Sequence, residues 1–318
     1  MKNKLLKQIL AICVITTSFV VTNVFIFLVF TNRCINDYSG QMAAKSVEVD
    51  QFLPFAKETK IVKKEYEDKL TGDLPKLDGA AALFPIMSSV AYSIFPESAV
   101  HYVDNDFTSD SALQYHNTRG AFKGIVDGTV DIALCASPNK EQVQYGLDNG
   151  VELELTPIGR EAFVFIVNTK NPVDNLTMKE LKDIYKGNIT NWKQVGGKNR
   201  PINVIQRNKG SGSQTALEKL VGDEIKSNYF GPFGASLGFS FRYYVEELTE
   251  HGHIKMLSLE GVYPNKENVQ NNSYPIVSNF YAVTRKGETN PNVQKVLDFI
   301  LSPTGQEIIN ETGYVGLN

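Results

Sequence analysis

Cysteine is scarce in this chain: 318 residues hold three, at positions 13, 34 and 135. No disulfide framework is built from that spacing. Cys135, inside VDIALCAS, reads as a small buried strand residue, and Cys34 is either free or pairs between chains. Histidine is also sparse. His251 and His253 flank Gly252 beside Glu250, but no third ligand stands at a recognisable spacing, so they read as solvated side chains and no metal or other cofactor is expected. Charge of one sign is not in excess, with 32 Lys+Arg against 35 Asp+Glu and a net charge of −3. A nucleic-acid partner, which calls for a basic stripe, is not expected. There is no internal repeat, no G-x-x-x-x-G-K-[ST] phosphate loop and no G-x-S-x-G elbow.

One apolar run is long. Residues 9–30 carry no charge and would span about 33 Å as a helix, enough for a bilayer core. Lys2, Lys4 and Lys7 precede it, while Arg33 and Asp37 nearly cancel after it. Residues 1–8 are therefore expected in the cytoplasm, 9–30 as a single-pass signal anchor and the rest outside the cell membrane. A cleaved signal peptide is the competing reading, but its apolar part is usually shorter and ends in small residues, whereas residues 25–30 are bulky. Residues 31–76 are polar and charged, with IVKKEYEDKL as their one helical-looking piece, and read as an extracytoplasmic linker or stalk.

From Leu77 onward apolar runs alternate with amphipathic stretches. Helices are expected from about Pro85, at 120–126, 178–185, 214–221 and 293–301, with strands near Val100 and at 130–135, 162–168, 202–207 and 276–284. This is α/β patterning, and its length suits two lobes better than one. The most informative stretch is INVIQRNKGSGSQTALEKL, residues 202–220, which reads as a strand, an arginine, a Gly/Ser loop and a helix start. Gly210 and Gly212 permit tight turns, and Ser211, Ser213 and Thr215 can cap the helix. Unpaired N–H groups at a helix N-terminus, nearby hydroxyls and Arg207 can together surround a phosphate-like oxyanion. The plain alternative is an ordinary strand-to-helix turn.

The order of motifs resembles the phosphate-binding proteins that serve ABC importers, a branch of the type II periplasmic-binding-protein fold. The resemblance covers about residues 77–318. It is carried by DGAAALFPIMSSVA, TRGAFKGIVDGTVDIALCASPNKEQ, PIGREAFVFIVNTKNPV, LTMKELKDIYKGNITNWKQVGG, the 202–220 loop, LGFSFRYY and SPTGQEIINETGYVGL. The lone Trp192 falls in one of these phrases, with a structural role. The resemblance implies two α/β lobes joined by two hinge strands near 158–167 and 276–284, lobe 1 being 77–160 plus 277–318 and lobe 2 being 161–276. It implies phosphate held by Thr118, Arg207, Ser211, Gly212 and Ser213 and by the backbone N–H of Phe84. It further implies an ABC importer permease as partner and no enzymatic activity.

Departures from the family pattern are equally plain. Ala80, Ala81, Ala82 and Leu83 stand where relatives place serine or threonine hydroxyls, and each lost neutral hydrogen bond costs about 0.5–1.5 kcal/mol. Ala136 stands where some relatives carry an acid that accepts the proton of monoprotonated phosphate, which bears on rejection of sulfate. The second lobe also looks shortened after Gly222. The expectation is thus a membrane-anchored receptor for inorganic phosphate or a similar oxyanion. The alternatives are a degenerate sensor or scaffold without tight binding and, from another class, a hydrolase using Ser211 or Ser213 as nucleophile with a histidine or lysine base, Lys209 being nearby.

Overall fold

The computed structural model describes residues 4, 7, 10, 12–25, 47–222, 224–226, 230–247 and 253–317. The strands are β1 (Leu77–Gly79), β2 (Tyr102–Val103), β3 (Asp106–Phe107), β4 (Ile132–Ala136), β5 (Leu153–Asn168) and β6 (Asn175–Leu176), then β7 (Ile202–Val204), β8 (Ala235–Phe241), β9 (Ile254–Met256), β10 (Ser258–Leu259) and β11 (Val277–Arg285). The helices are α1 (Phe84–Ile94), α2 (Asn117–Asp127), α3 (Lys140–Asp148), α4 (Met178–Tyr185), α5 (Gly212–Val221), α6 (Arg242–Glu247), α7 (Lys266–Gln270), α8 (Pro291–Leu301) and α9 (Pro303–Thr312).

The main sheet runs β1-β4-β11-β5-β8-β7, with β9 branching from β5. β5 makes this order possible because it is longer than either half of the molecule needs. Its first part pairs antiparallel with β11, from Leu153↔Arg285 to Ala162↔Val277. Its second part pairs antiparallel with β8, from Phe163↔Phe241 to Ile166↔Gly238, and with β9. One strand therefore joins the two halves of the sheet. The run from Ala162 to Val167 is buried throughout, as an apolar strand covered on both faces should be. Parallel pairs β1–β4 and β7–β8 lie on either side.

Two cores flank β5. In lobe 1, Leu77, Ile86, Met87, Val90, Leu134 and Ile300 pack together. In lobe 2, Phe163 and Phe165 meet Phe239 and Tyr185 with ring centroids 5.6 and 5.8 Å apart. Trp192 is fully buried there and its indole N–H donates to the Ala235 carbonyl at 2.9 Å, so the lone tryptophan fastens the start of β8. Cys135 is buried in β4, where burial pushes its thiol pKa far up and suppresses thiolate chemistry. Among the described residues of 222–234, which join α5 to β8, the regular element is a 3₁₀ turn at Gly231–Phe233.

Two expectations for the N-terminal part change. Residues 47–76 are not a free linker: Val47, Phe52 and Leu70 are buried in the lobe 1 core, and Val49, Leu53, Ile61, Val62 and Leu74 pack against it. Within it, IVKKEYEDKL is not helical. Its Val62 N–H donates to Ser89 Oγ, its Leu70 N–H donates to the Ile94 carbonyl, and its Tyr66 ring meets Phe299 edge-on at 5.1 Å. Docking of these apolar side chains outweighs local helix preference. Within the expected anchor, residues 12–25 are helical, with exposed apolar side chains such as Ile15 and Phe19. Among the described residues no helix is long and apolar enough to cross a membrane. Apart from Leu10, the remainder of 9–30 lies outside the described residues, as do Cys34 and residues 31–46.

Leu70 therefore distinguishes a docked strap from a linker. Leu70→Ala should lower unfolding stability by about 2–5 kcal/mol, as for a core leucine, in denaturant titrations of the full chain. A change below about 0.5 kcal/mol would return residues 47–76 to the linker class.

Candidate functional site

A cavity of about 260 Å³ opens at the hinge between the lobes. Its lobe 2 wall is the loop after β7. The chain leaves the strand at Ile205, passes Arg207, turns at Gly210 with φ +81° and enters α5 through Ser211. Ser211 is the N-cap, its Oγ accepting the Gln214 N–H at 3.3 Å, and Gly212 and Ser213 are the first helical residues. The sequence folds this way because glycine tolerates the left-handed turn and serine replaces a missing helical acceptor. The Arg207 N–H donates to Gln214 Oε1 at 2.9 Å, locking the arginine's backbone to the helix it precedes.

Arg207 is only 9 % exposed. Burial draws its pKa below the ordinary arginine value, opposed by Tyr244, which accepts a hydrogen bond from the guanidinium and whose ring lies 5.9 Å from its Cζ. Among the described residues no carboxylate forms an ion pair with it. A buried cation without an acidic partner is costly unless an anion joins it.

The lobe 1 wall brings Thr118 to the same place. α2 begins beside His116, and Asn117 at φ +59° turns the chain so that Thr118 and Arg119 line the cavity. Asp78, fully buried at the end of β1, holds this corner. Its carboxylate accepts the Gly79 N–H at 2.7 Å, the His116 N–H at 2.9 Å and His116 Nδ1 at 2.7 Å. The hydrogen bond to Asp78 raises the His116 pKa. A β-carbon placed on Gly212 would lie 3.3 Å from Ala136 Cβ and 3.7 Å from Thr118 Oγ1, so two helix N-termini from different lobes meet here.

Five of the six expected site residues, Thr118, Arg207, Ser211, Gly212 and Ser213, thus line one cavity. Phe84 does not. Its ring is buried against Phe107 and Tyr115, and its N–H donates to the Ala81 carbonyl, closing the 3₁₀ turn Ala81–Leu83. The Leu83 N–H is likewise turned inward, to the Ala80 carbonyl at 2.9 Å. Ala80, Ala81 and Ala82 face the cavity instead, the Ala82 carbonyl held by the Tyr314 hydroxyl.

Several lining residues escaped sequence reasoning. Glu161, on β5, is buried and accepts from Arg242 Nε at 3.0 Å, from the Ala162 N–H at 2.8 Å and from the Tyr243 N–H at 3.2 Å. Burial pushes its carboxyl up to about 7 against the pull of Arg242. Arg242 also donates to the Gly313 carbonyl at 2.5 Å, tying the start of α6 to the C-terminal turn of lobe 1. The one legible signal was the position of Glu161 inside an expected hinge strand. Of the groups that hydrolysis would use, Ser211 caps a helix and Lys209 pairs with exposed Glu141 of α3. Among the described residues no group of three or more His, Cys, Asp or Glu is placed to hold a metal ion.

Two α/β lobes sharing a hinge strand, with a cavity lined by facing helix N-termini between them, define a two-lobed binding-protein fold. The chain belongs to the PBP superfamily, whose domain profile matches residues 76–304. It is similar to the phosphate-binding protein PstS of Borreliella burgdorferi, at 29% identity over 72% of this chain and 88% of that protein. PstS of Bacillus subtilis is 25% identical over 78% of this chain and 82% of its own. In structure it resembles an ABC-type phosphate transport receptor from Vibrio cholerae, with a TM-score of 0.54 at 21% identity, covering 76% of this chain and 99% of that one. A Clostridium perfringens substrate-binding protein solved with bound phosphate aligns with a TM-score of 0.59 at 24% identity, covering 77% and 100%.

The Asp78–His116 pair yields a signed expectation. Because the pKa of His116 is raised, its stabilising effect is complete below the unfolded value of about 6.5 and fades as pH rises through the folded value. In an NMR titration, Asp78→Asn should move the His116 pKa down. An unchanged midpoint would show that the carboxylate does not set it.

Proposed function

We propose that this chain is an extracytoplasmic solute receptor that captures a phosphate group in the interlobe cleft and delivers it to an ABC importer. One observation carries the reading: Arg207 is nine-tenths buried at a helix N-terminus, and no carboxylate among the described residues pairs with it. In this proposal Arg207 supplies two charge-assisted donors, Ser211, Ser213 and Thr118 supply hydroxyls, and Gly212 supplies a close-approaching N–H. The names of the relatives support both the ligand and the importer. Inorganic phosphate is the reference ligand.

Membrane anchoring through residues 9–30 is part of the proposal. It is supported by the uncharged run, by the lysines before it and by the helical, exposed apolar residues at 12–25. The full chain should resist alkaline carbonate extraction from membranes, and deletion of residues 1–30 should release it. Extraction of the intact chain by carbonate would remove the anchor from the proposal.

Calorimetric titration of phosphate into the full chain tests the binding reading. Arg207→Ala should weaken binding at least about a hundredfold, since each charge-assisted hydrogen bond is worth about 1.5–3 kcal/mol. Absence of heat and of thermal stabilisation from the unmutated chain, with the fold intact, would sink phosphate capture and favour a scaffold without a ligand.

A further inference from the structure

The anion end occupies only part of the cavity. A phosphate ion is a small, compact anion, whereas about 260 Å³ approaches the roughly 300–1,000 Å³ of pockets that take organic molecules. Much of the remaining lining is apolar, with Ala80, Ala81, Ala82, Leu83, Phe241 and Phe280 beside Ser240 and Ser278. Part of its backbone is also spent, because the Leu83 and Phe84 N–H groups and the Ala82 carbonyl are bonded within lobe 1. The alanine side chains offer a naked phosphate oxygen no donor, yet they match an uncharged carbon substituent.

We infer that the cleft takes a monosubstituted phosphoryl group, R–PO₃²⁻ with a small uncharged organic R, in preference to inorganic phosphate. The phosphoryl oxygens sit at Arg207 and the α5 N-terminus, and R lies on the alanine wall. The inference rests on Arg207 being the phosphate anchor, as proposed above, and narrows the ligand. Phosphate esters and phosphonates share this chemistry.

The test is calorimetry on the full chain with inorganic phosphate, methyl, ethyl and propyl phosphate, and propylphosphonate. Burial of each methylene should tighten binding about three- to fourfold, so that propyl phosphate binds at least about tenfold more tightly than inorganic phosphate. Comparable binding of propylphosphonate would show that the bridging oxygen is not read, and much weaker binding would restrict the class to esters; in both cases the chain-length gain upholds the inference. Ala81→Leu, which narrows the wall, should erase the gain of propyl phosphate over inorganic phosphate. Inorganic phosphate binding as tightly as propyl phosphate would overturn the inference and leave phosphate capture standing. Binding of none of these ligands would overturn both.

Discussion

The architecture depends on one strand shared by both halves of the main sheet. β5 pairs with β11 up to Ala162 and with β8 from Phe163, so the lobes are joined by continuous backbone hydrogen bonding and not by a loop. At that crossover the chain must change partners while keeping its N–H and C=O groups satisfied. Phe163 does so by donating to the Ile276 carbonyl, and Glu161 does so by reaching forward to the Ala162 N–H. The Glu161–Arg242 pair then fixes α6 against the same point, and Arg242 reaches across to Gly313. Removing either partner would leave a buried charge at the pivot, which is why a polar cluster sits where the apolar run would otherwise continue.

A second fixed corner sets the lobe 1 side of the site. Asp78 is surrounded by donors from its own strand and from the start of α2, so the alanine loop and Thr118 are positioned by one carboxylate. Gly79 is held there for a different reason: a β-carbon would lie 2.2 Å from the Leu134 carbonyl oxygen. Close β1–β4 pairing and the carboxylate together leave this loop little freedom. Its chemistry can therefore be altered by changing side chains alone, without moving the backbone that presents them.

The parts of this site that were legible in the sequence are those confined to short segments. Arg207, Ser211, Gly212 and Ser213 lie within seven residues, and their strand-turn-helix pattern follows from local rules about glycine and serine. Thr118 required the family resemblance, because a helix start alone does not say what it faces. What stayed hidden is long-range. Glu161 meets Arg242 across 81 residues, and Tyr314 meets Ala82 across 232. The strap at 47–76 read as a linker because its apolar residues, spaced among lysines and glutamates, match no single period; only the groove against α1 and α8 gives them a place. The Phe84 N–H misled for a local reason. A helix start at Pro85 would leave it free, but a 3₁₀ turn precedes the helix and uses it.

The contacts that bridge the lobes say what must hold the cleft shut. Away from the hinge they are peripheral: Lys209 with Glu141, Lys219 Nζ with Ser137 Oγ at 2.7 Å, and Gln142 Nε2 with the Gly210 carbonyl at 3.3 Å. Exposed pairs of this kind are screened by water and contribute little to an equilibrium between open and closed lobes. The contact near the anion end is different, because there Arg207 is buried and two helix N-termini converge, like partial charges brought together. Closure without an anion would therefore work against electrostatics, whereas an anion that touches Thr118 on one lobe and Arg207 on the other turns the same arrangement into mutual attraction. A ligand shifts such an equilibrium only through contacts present in one state and absent in the other. If an anion binds as proposed, determinants divided between the lobes couple its binding to their approach.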